Sequence, residues 1–125
     1  MNVKIADILD ERRVVVQVEN NEFIAEWGGD KPEINESYAV EMDIDDELIW
    51  KANTYFSSEN GNLIIQKDEG IKIVAKLDYN SEDNLATLKV YDSIVLIDIE
   101  EIEQDILNEW VEINCDSIRL SNINL

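Results

Sequence analysis

Carboxylates dominate the residues of this chain that could do chemistry, and little stands beside them that would turn them into catalysts. There is no histidine, which removes the usual general base, the base of most nucleophilic triads and the commonest transition-metal ligand together. The single cysteine, Cys115, shares the apolar parity of an alternating stretch with Val111 and Ile113, where a thiol reads as a small buried hydrophobe. Two carboxylates about 5 to 10 Å apart can hydrolyse a glycosidic bond. Among 29 Asp and Glu, however, some pair always lies that close, so proximity carries no information. Gly28-Gly29 lacks the lysine and helix of a phosphate loop and reads as a turn. The run Asp43-Ile44-Asp45-Asp46-Glu47 offers the oxygens a hard cation wants, but a calcium loop needs Gly at its sixth place and Glu at its twelfth, and this run is followed by Leu48 and later Phe56 to Ser58, with no glycine until Gly61. The expectation is a protein that is not an enzyme and uses no cofactor and no metal.

The same carboxylates suit a different task. Against them stand only 10 Lys and Arg, giving a formal net charge of -19 at pH 7. Such a surface repels DNA, RNA and anionic lipid, whose affinity for proteins rests on Lys and Arg displacing counterions. Direct nucleic-acid or membrane binding is therefore not expected, and a basic protein partner is. The acids are also unevenly placed. Glu33, Glu36, Glu41, Asp43, Asp45, Asp46 and Glu47 lie between Lys31 and Lys51 with no base among them. Asp92, Asp98, Glu100, Glu101, Glu103, Asp105, Glu109, Glu112 and Asp116 lie between Lys89 and Arg119, again with none. Outward residues on a strand stand about 6.8 Å apart, so two facing rows would carry roughly one charge per 3.4 Å, the spacing along one nucleic-acid strand. The bland alternative is a solubilising coat, because net charge reports on solubility and association rate, not on fold.

Of the three tryptophans, Trp27 and Trp50 fall on inward parities and read as core. Trp110 has the opposite parity to Val111, Ile113 and Cys115 and sits between Glu109 and Glu112, the setting of an interface anchor. The candidate partner-binding residues are therefore Glu41, Asp43, Asp45, Asp46 and Glu47 in the first run, and Glu100, Glu101, Glu103, Asp105, Glu109, Trp110 and Glu112 in the second.

The elements that must position these residues are mainly strands. Hydrophobic residues make up 45% of the 125 residues, too many for an acidic disordered tail and enough for one domain over 1–125. Period-two alternation runs through Val3–Leu9, Val14–Val18, Phe23–Trp27, Tyr38–Ile44, Ile71–Tyr79, Leu85–Tyr91 and Val111–Cys115. Asn20-Asn21 predicts a tight hairpin turn, and Asn60-Gly61 predicts a second, returning through Leu63–Ile65. Ser93–Ile99 is nearly continuous Ile, Val and Leu, which predicts a strand covered on both faces or lying deep in a barrel. Asp98 and Glu101 have capping-box spacing, and Ile99, Ile102 and Ile106 recur at helical intervals, which predicts one short helix near residues 99–107. Eight to ten strands with turns between them predict a small antiparallel β-barrel of the OB type, or a β-sandwich.

In overall character the chain resembles the small acidic immunity proteins that bacteria keep beside secreted nuclease toxins, and phage-encoded nucleic-acid mimics. The resemblance is one of composition, covers no motif and transfers no site residues. It implies an inhibitor that blocks a basic partner such as a nuclease toxin. A structural or assembly module and a small-ligand-binding barrel are the alternatives. Without a basic N-terminal region followed by an apolar run, or a long apolar span, no export or membrane segment is expected. One cysteine requires no oxidising compartment, so the expectation is cytoplasmic. Glu41, Asp43 and Asp45 along one strand oppose edge-to-edge pairing, which favours a monomer in isolation.

Overall fold

The alternating stretches become strands. The structure, a computed structural model, describes residues 1–123. In chain order its strands are β1 (Asn2–Ile8), β2 (Arg13–Val18), β3 (Asn21–Gly28), β4 (Ser37–Asp43), β5 (Leu48–Ile49), β6 (Thr54–Phe56), β7 (Leu63–Gln66), β8 (Ile71–Asn80), β9 (Leu85–Val90), β10 (Ser93–Ile97), β11 (Ile99–Glu100), β12 (Ile106–Cys115) and β13 (Arg119–Asn122).

Five strands close a barrel in the order β1-β2-β3-β13-β4. The neighbours run antiparallel except β3 and β13, which are parallel, with Leu120 beside Trp27. The β2–β3 hairpin turns at Glu19-Asn20, one residue before the Asn20-Asn21 expected from sequence, with Val18 opposite Asn21. Inward-facing Val3, Ile5, Val14, Val16, Phe23, Ala25, Val40, Met42 and Leu120 fill the interior. Burying a side chain as large as Phe23 contributes about 1.5 to 3 kcal/mol. β1 bulges against β2 between Ile5 and Asp7, and on its other edge it continues past β4 into the loop before that strand: the Ile5 N–H donates to the Glu36 carbonyl at 2.9 Å and its carbonyl accepts from the Asn35 N–H at 2.8 Å.

Between β4 and β13 the chain builds a second sheet of six strands, ordered β10-β9-β8-β12-β6 with β7 also paired to β8. Its buried face carries Ile71, Ile73, Ala75, Leu77, Leu88, Val90, Val111 and Ile113. One continuous apolar cluster runs from this face into the barrel. At the seam the Ile24 N–H donates to the Gln66 Oε1 at 2.8 Å.

Three expectations are corrected. The short helix near residues 99–107 does not form. Ile99 and Glu100 instead pair in parallel with Leu48 and Ile49, Glu101 has a φ of 68° that no right-handed helix accepts, and β12 already begins at Ile106. A helix there would also set Asp98 against Glu101 and Glu100 against Glu103 at i,i+3 spacing, where like charges repel. Ile99, Ile102 and Ile106 are nevertheless all buried, because an extended, kinked path returns to the core at the same intervals. Second, the strands flanking Asn60-Gly61 do not pair with each other: β6 joins β12 and β7 joins β8. Third, β10 is covered on one face only, leaving Ile94 and Leu96 exposed. Among the described residues no helix is long and apolar enough to cross a membrane.

Candidate functional site

The shortest sheet makes the junction that matters most for the acids. Because β5 and β11 pair in parallel, the end of the first acidic run meets the start of the second. The Asp46 carboxylate accepts the Asp116 backbone N–H at 2.7 Å. The Glu100 carboxyl is pushed above its ordinary range, first by sharing a hydrogen bond with the Glu47 carboxyl and then by repulsion from Glu47 and Glu101. The Glu100 carbonyl meanwhile accepts the Trp50 N–H at 2.9 Å. Asp46, Glu47, Glu100, Glu101 and Asp116 thus converge on one end of the molecule.

Beside them lies a groove of about 860 Å³ lined by Trp50, Lys51, Tyr55, Phe56, Glu101, Glu103 and Gln104. A tight turn after β5 shapes it. Lys51 has a φ of 70°, and its N–H donates to the Thr54 carbonyl at 2.7 Å. Asn53 ties the turn from inside, accepting the Ile49 N–H at 2.8 Å and donating to the Glu47 carbonyl at 2.8 Å. The turn delivers Phe56 edge-on to Trp50, with ring centroids 4.9 Å apart and planes at 88°. Trp50 is buried, whereas Phe56 is 48% exposed. Aromatic rings flanked by carboxylates are the surroundings that a guanidinium or ammonium group favours.

The other candidate residues go elsewhere. Glu41, Asp43 and Asp45 line the barrel side, where Arg119 on β13 reaches Asp45 at 3.1 Å and Asp43 at 3.9 Å. Asp105 accepts both the N–H and the hydroxyl of Ser81, at 2.8 and 2.7 Å, and so fastens the turn between β8 and β9; these bonds hold its carboxyl below the usual range. Glu109 is exposed beside a bulge in β12. Trp110 is partly covered by Lys76, whose Nζ lies 5.2 Å from the ring centre.

Glu112 is largely withdrawn into a polar network. It accepts the Tyr55 hydroxyl at 2.6 Å and the Asn114 amide at 3.0 Å, and it pairs with Lys72 at 3.5 Å. Burial pushes its carboxyl up, but the Tyr55 and Asn114 bonds and Lys72 outweigh that, so its pKa lies below the ordinary value. Lys72 also binds Glu59 at 2.6 Å, the main reason its own pKa is raised.

Cys115 is buried, and burial followed by the charges of Asp46 and Asp116 pushes its thiol up to about 12. At the barrel mouth a second cavity of about 530 Å³ is lined by Ile8, Leu9, Asp10, Glu11, Val14, Trp27, Gly29, Lys31 and Pro32.

Of the residues that line this groove, the sequence points to Glu101 and Glu103 but not to Tyr55 and Phe56. The adjacent Tyr-Phe pair was visible, but nothing local showed that the chain turns sharply at Lys51 to set it against Trp50. No protein-family model, no curated protein and no solved structure matches the chain.

Proposed function

We propose that this protein is a non-catalytic binding protein that captures a basic protein partner, in the manner of an immunity-type inhibitor of a nuclease toxin. The observation that carries the reading is the meeting of the two acidic runs at the β5–β11 junction beside a groove with aromatic walls. The acids steer a cationic partner, and the groove gives one Arg or Lys of that partner a place to lose water between Phe56, Tyr55 and the Glu101 and Glu103 carboxylates. The barrel's strand order, with its third strand parallel to the closing one, supports an OB-type barrel as its host. The acids repel the nucleic acid that such barrels often bind in a basic groove.

The test is capture from a lysate of the source cell on immobilised protein at low salt, eluted by a salt gradient, in parallel with the variant Glu101→Lys/Glu103→Lys. The expected result is one basic protein released at a distinct high-salt step by the parent and absent from the variant, since exposed charges are screened beyond about 8 Å at physiological ionic strength. A diffuse set of basic proteins leaving both columns together at low salt overturns the proposal.

The Trp27-lined cavity supports a second reading, a small-ligand barrel. It would show as salt-independent quenching of Trp27 fluorescence by an apolar compound.

A further inference from the structure

The six-stranded sheet ends in a strand that has no hydrogen-bonded neighbour on its outer edge and an exposed outer face. β10 pairs only with β9, and the two-residue turn at Tyr91-Asp92 sets Ser93 opposite Val90. In a hairpin closed by two residues the closing pair is hydrogen-bonded, and pairs alternate from there. Ser93, Val95 and Ile97 therefore bond to β9, while Ile94 and Leu96 direct their N–H and C=O groups away from it. Among the described residues no other backbone group meets them. The same two residues expose their side chains, Ile94 by 70% and Leu96 by 69%. Leu85 and Leu107 are also exposed and line a hollow farther along the sheet with Asp78, Thr87 and Asp105, while Ile94 and Leu96 stand opposite Lys89 and Thr87 of β9.

Natural sheets blunt such edges with lysine, proline, bulges or a covering element. The five residues of β10 contain no lysine and no proline, and their register with β9 is unbroken; β4 lies close to the strand without pairing with it, and the Met1 amine donates to the Ser93 hydroxyl at 2.6 Å. Asp92 and Asp98 bracket the strand, and both are exposed; Asp92 keeps an ion pair with the Met1 amine at 3.4 Å. These two aspartates decide the occupant. If a second copy paired its β10 antiparallel to this one, each Asp92 would stand opposite an Asp98 of the other copy, at both ends of a contact between two chains of charge -19, and like charges opposite one another destabilise a sheet. A strand with basic residues in those places meets the opposite situation.

We infer that β10 is an acceptor edge for an extended segment of another protein, with the pattern basic-x-apolar-x-apolar-x-basic. Its backbone adds a seventh strand to the sheet. Its two apolar side chains lie beside Ile94 and Leu96, and its two cations face Asp92 and Asp98. This edge is separate from the aromatic groove and does not depend on it.

The probe is the capped peptide Lys-Thr-Val-Thr-Ile-Thr-Lys, with a twin carrying Glu at both ends, and the readout is residue-resolved amide hydrogen exchange. Without peptide, the Ile94 and Leu96 amides exchange fast and Val95 slowly. With nine-tenths of the protein bound, exchange at Ile94 and Leu96 slows about tenfold, as mass action requires if the bound form does not exchange. The Glu-ended twin has no such effect. In the variant Asp92→Lys/Asp98→Lys, whose changes lie outside the strand and its core, the preference between the two peptides reverses. Glu101→Lys/Glu103→Lys leaves the response intact, so failure of the groove and failure of the edge are distinguishable. Unchanged exchange at Ile94 and Leu96 at millimolar peptide, or equal protection by both peptides, overturns the inference. So does protection that rises with protein concentration alone, which would name a second copy as the occupant.

Discussion

Replacing Glu112 by alanine removes the acceptor around which the outer face of the β8–β12–β6 sheet is organised. Tyr55 donates to it at 2.6 Å and Asn114 at 3.0 Å, and Lys72 pairs with it at 3.5 Å. In the variant Asn114 keeps the Tyr55 oxygen at 2.8 Å and Lys72 keeps Glu59 at 2.6 Å, so the Tyr55 hydroxyl alone is left without an acceptor. A hydrogen bond to a charged group contributes about 1.5 to 3 kcal/mol. With the Glu112 side chain 18% exposed, water compensates part of the loss, and Glu112→Ala should cost about 2 to 3 kcal/mol. Glu112→Gln keeps an acceptor and loses the charge, and should cost about 1 kcal/mol; Tyr55→Phe loses both the donor to Glu112 and the acceptor of the Asn114 amide, and should cost about 1.5 to 3 kcal/mol. The double variant should cost less than the two single losses together.

Urea unfolding followed by tryptophan fluorescence measures the parent and the four variants. The pH dependence has a fixed sign. Because the folded Glu112 carboxyl is held below its ordinary value, its contribution is fully present above the unfolded value of about 4.3 and is lost as pH falls through the lower, folded one. The gap between parent and Glu112→Gln should therefore be constant from neutral pH to about 5 and close below about 4. A Glu112→Ala protein within about 0.5 kcal/mol of the parent, or a gap unaltered in acid, would refute this account of the network.

Other perturbations test other parts of the molecule. Gly70 has a φ of 87°, and a Cβ there would lie 2.3 Å from the Cys115 carbonyl oxygen, so Gly70→Ala should lower the urea midpoint by the equivalent of about 2 to 4 kcal/mol. Phe23→Ala empties the barrel interior and should cost about 3 to 5 kcal/mol by the same assay. The Cys115 thiol should react with a disulfide reagent only as the protein unfolds, and reaction of the native protein at the rate of a free thiol would contradict its burial. Glu100 shows the opposite sign to Glu112: its raised folded pKa means that stability is lost as pH rises through it. Glu100→Gln should therefore raise the melting temperature at pH 7, by a margin that shrinks as pH falls toward 4.

The strands were legible because side-chain alternation is a local property. Tyr38, Val40 and Met42 against Ala39, Glu41 and Asp43 needs no knowledge of the partner strand, and the tight β2–β3 turn is likewise local. Long-range pairing is not written in that alphabet. Nothing near Leu48 or Ile99 announces that they will be parallel neighbours, yet this pairing joins the two acidic runs. The helical spacing of Ile99, Ile102 and Ile106 was real but had a second solution, an extended path kinked at Glu101. The apolar run through β10 predicts a strand covered on both faces or deep in a barrel, because composition does not show that the sheet ends there. Trp27 and Trp50 were placed in the core by parity, and both are buried. Phe56 was missed because its position depends on the backbone at Lys51.

The closing strand of the barrel has a consequence for how the chain is made. β13 joins β3 and β4 only after all the strands of the second sheet have been synthesised, so a nascent chain holds two open barrel edges for most of its emergence. Bringing Asp43 and Arg119 together across an unfolded stretch of that length would cost on the order of 4 kcal/mol in chain entropy. The folded sheet shortens the gap, because Asp46 grips the backbone of Asp116 and leaves Arg119 directly across from Asp43. A ribosome-stalled chain ending before Ile118 should therefore expose both barrel edges to chaperones.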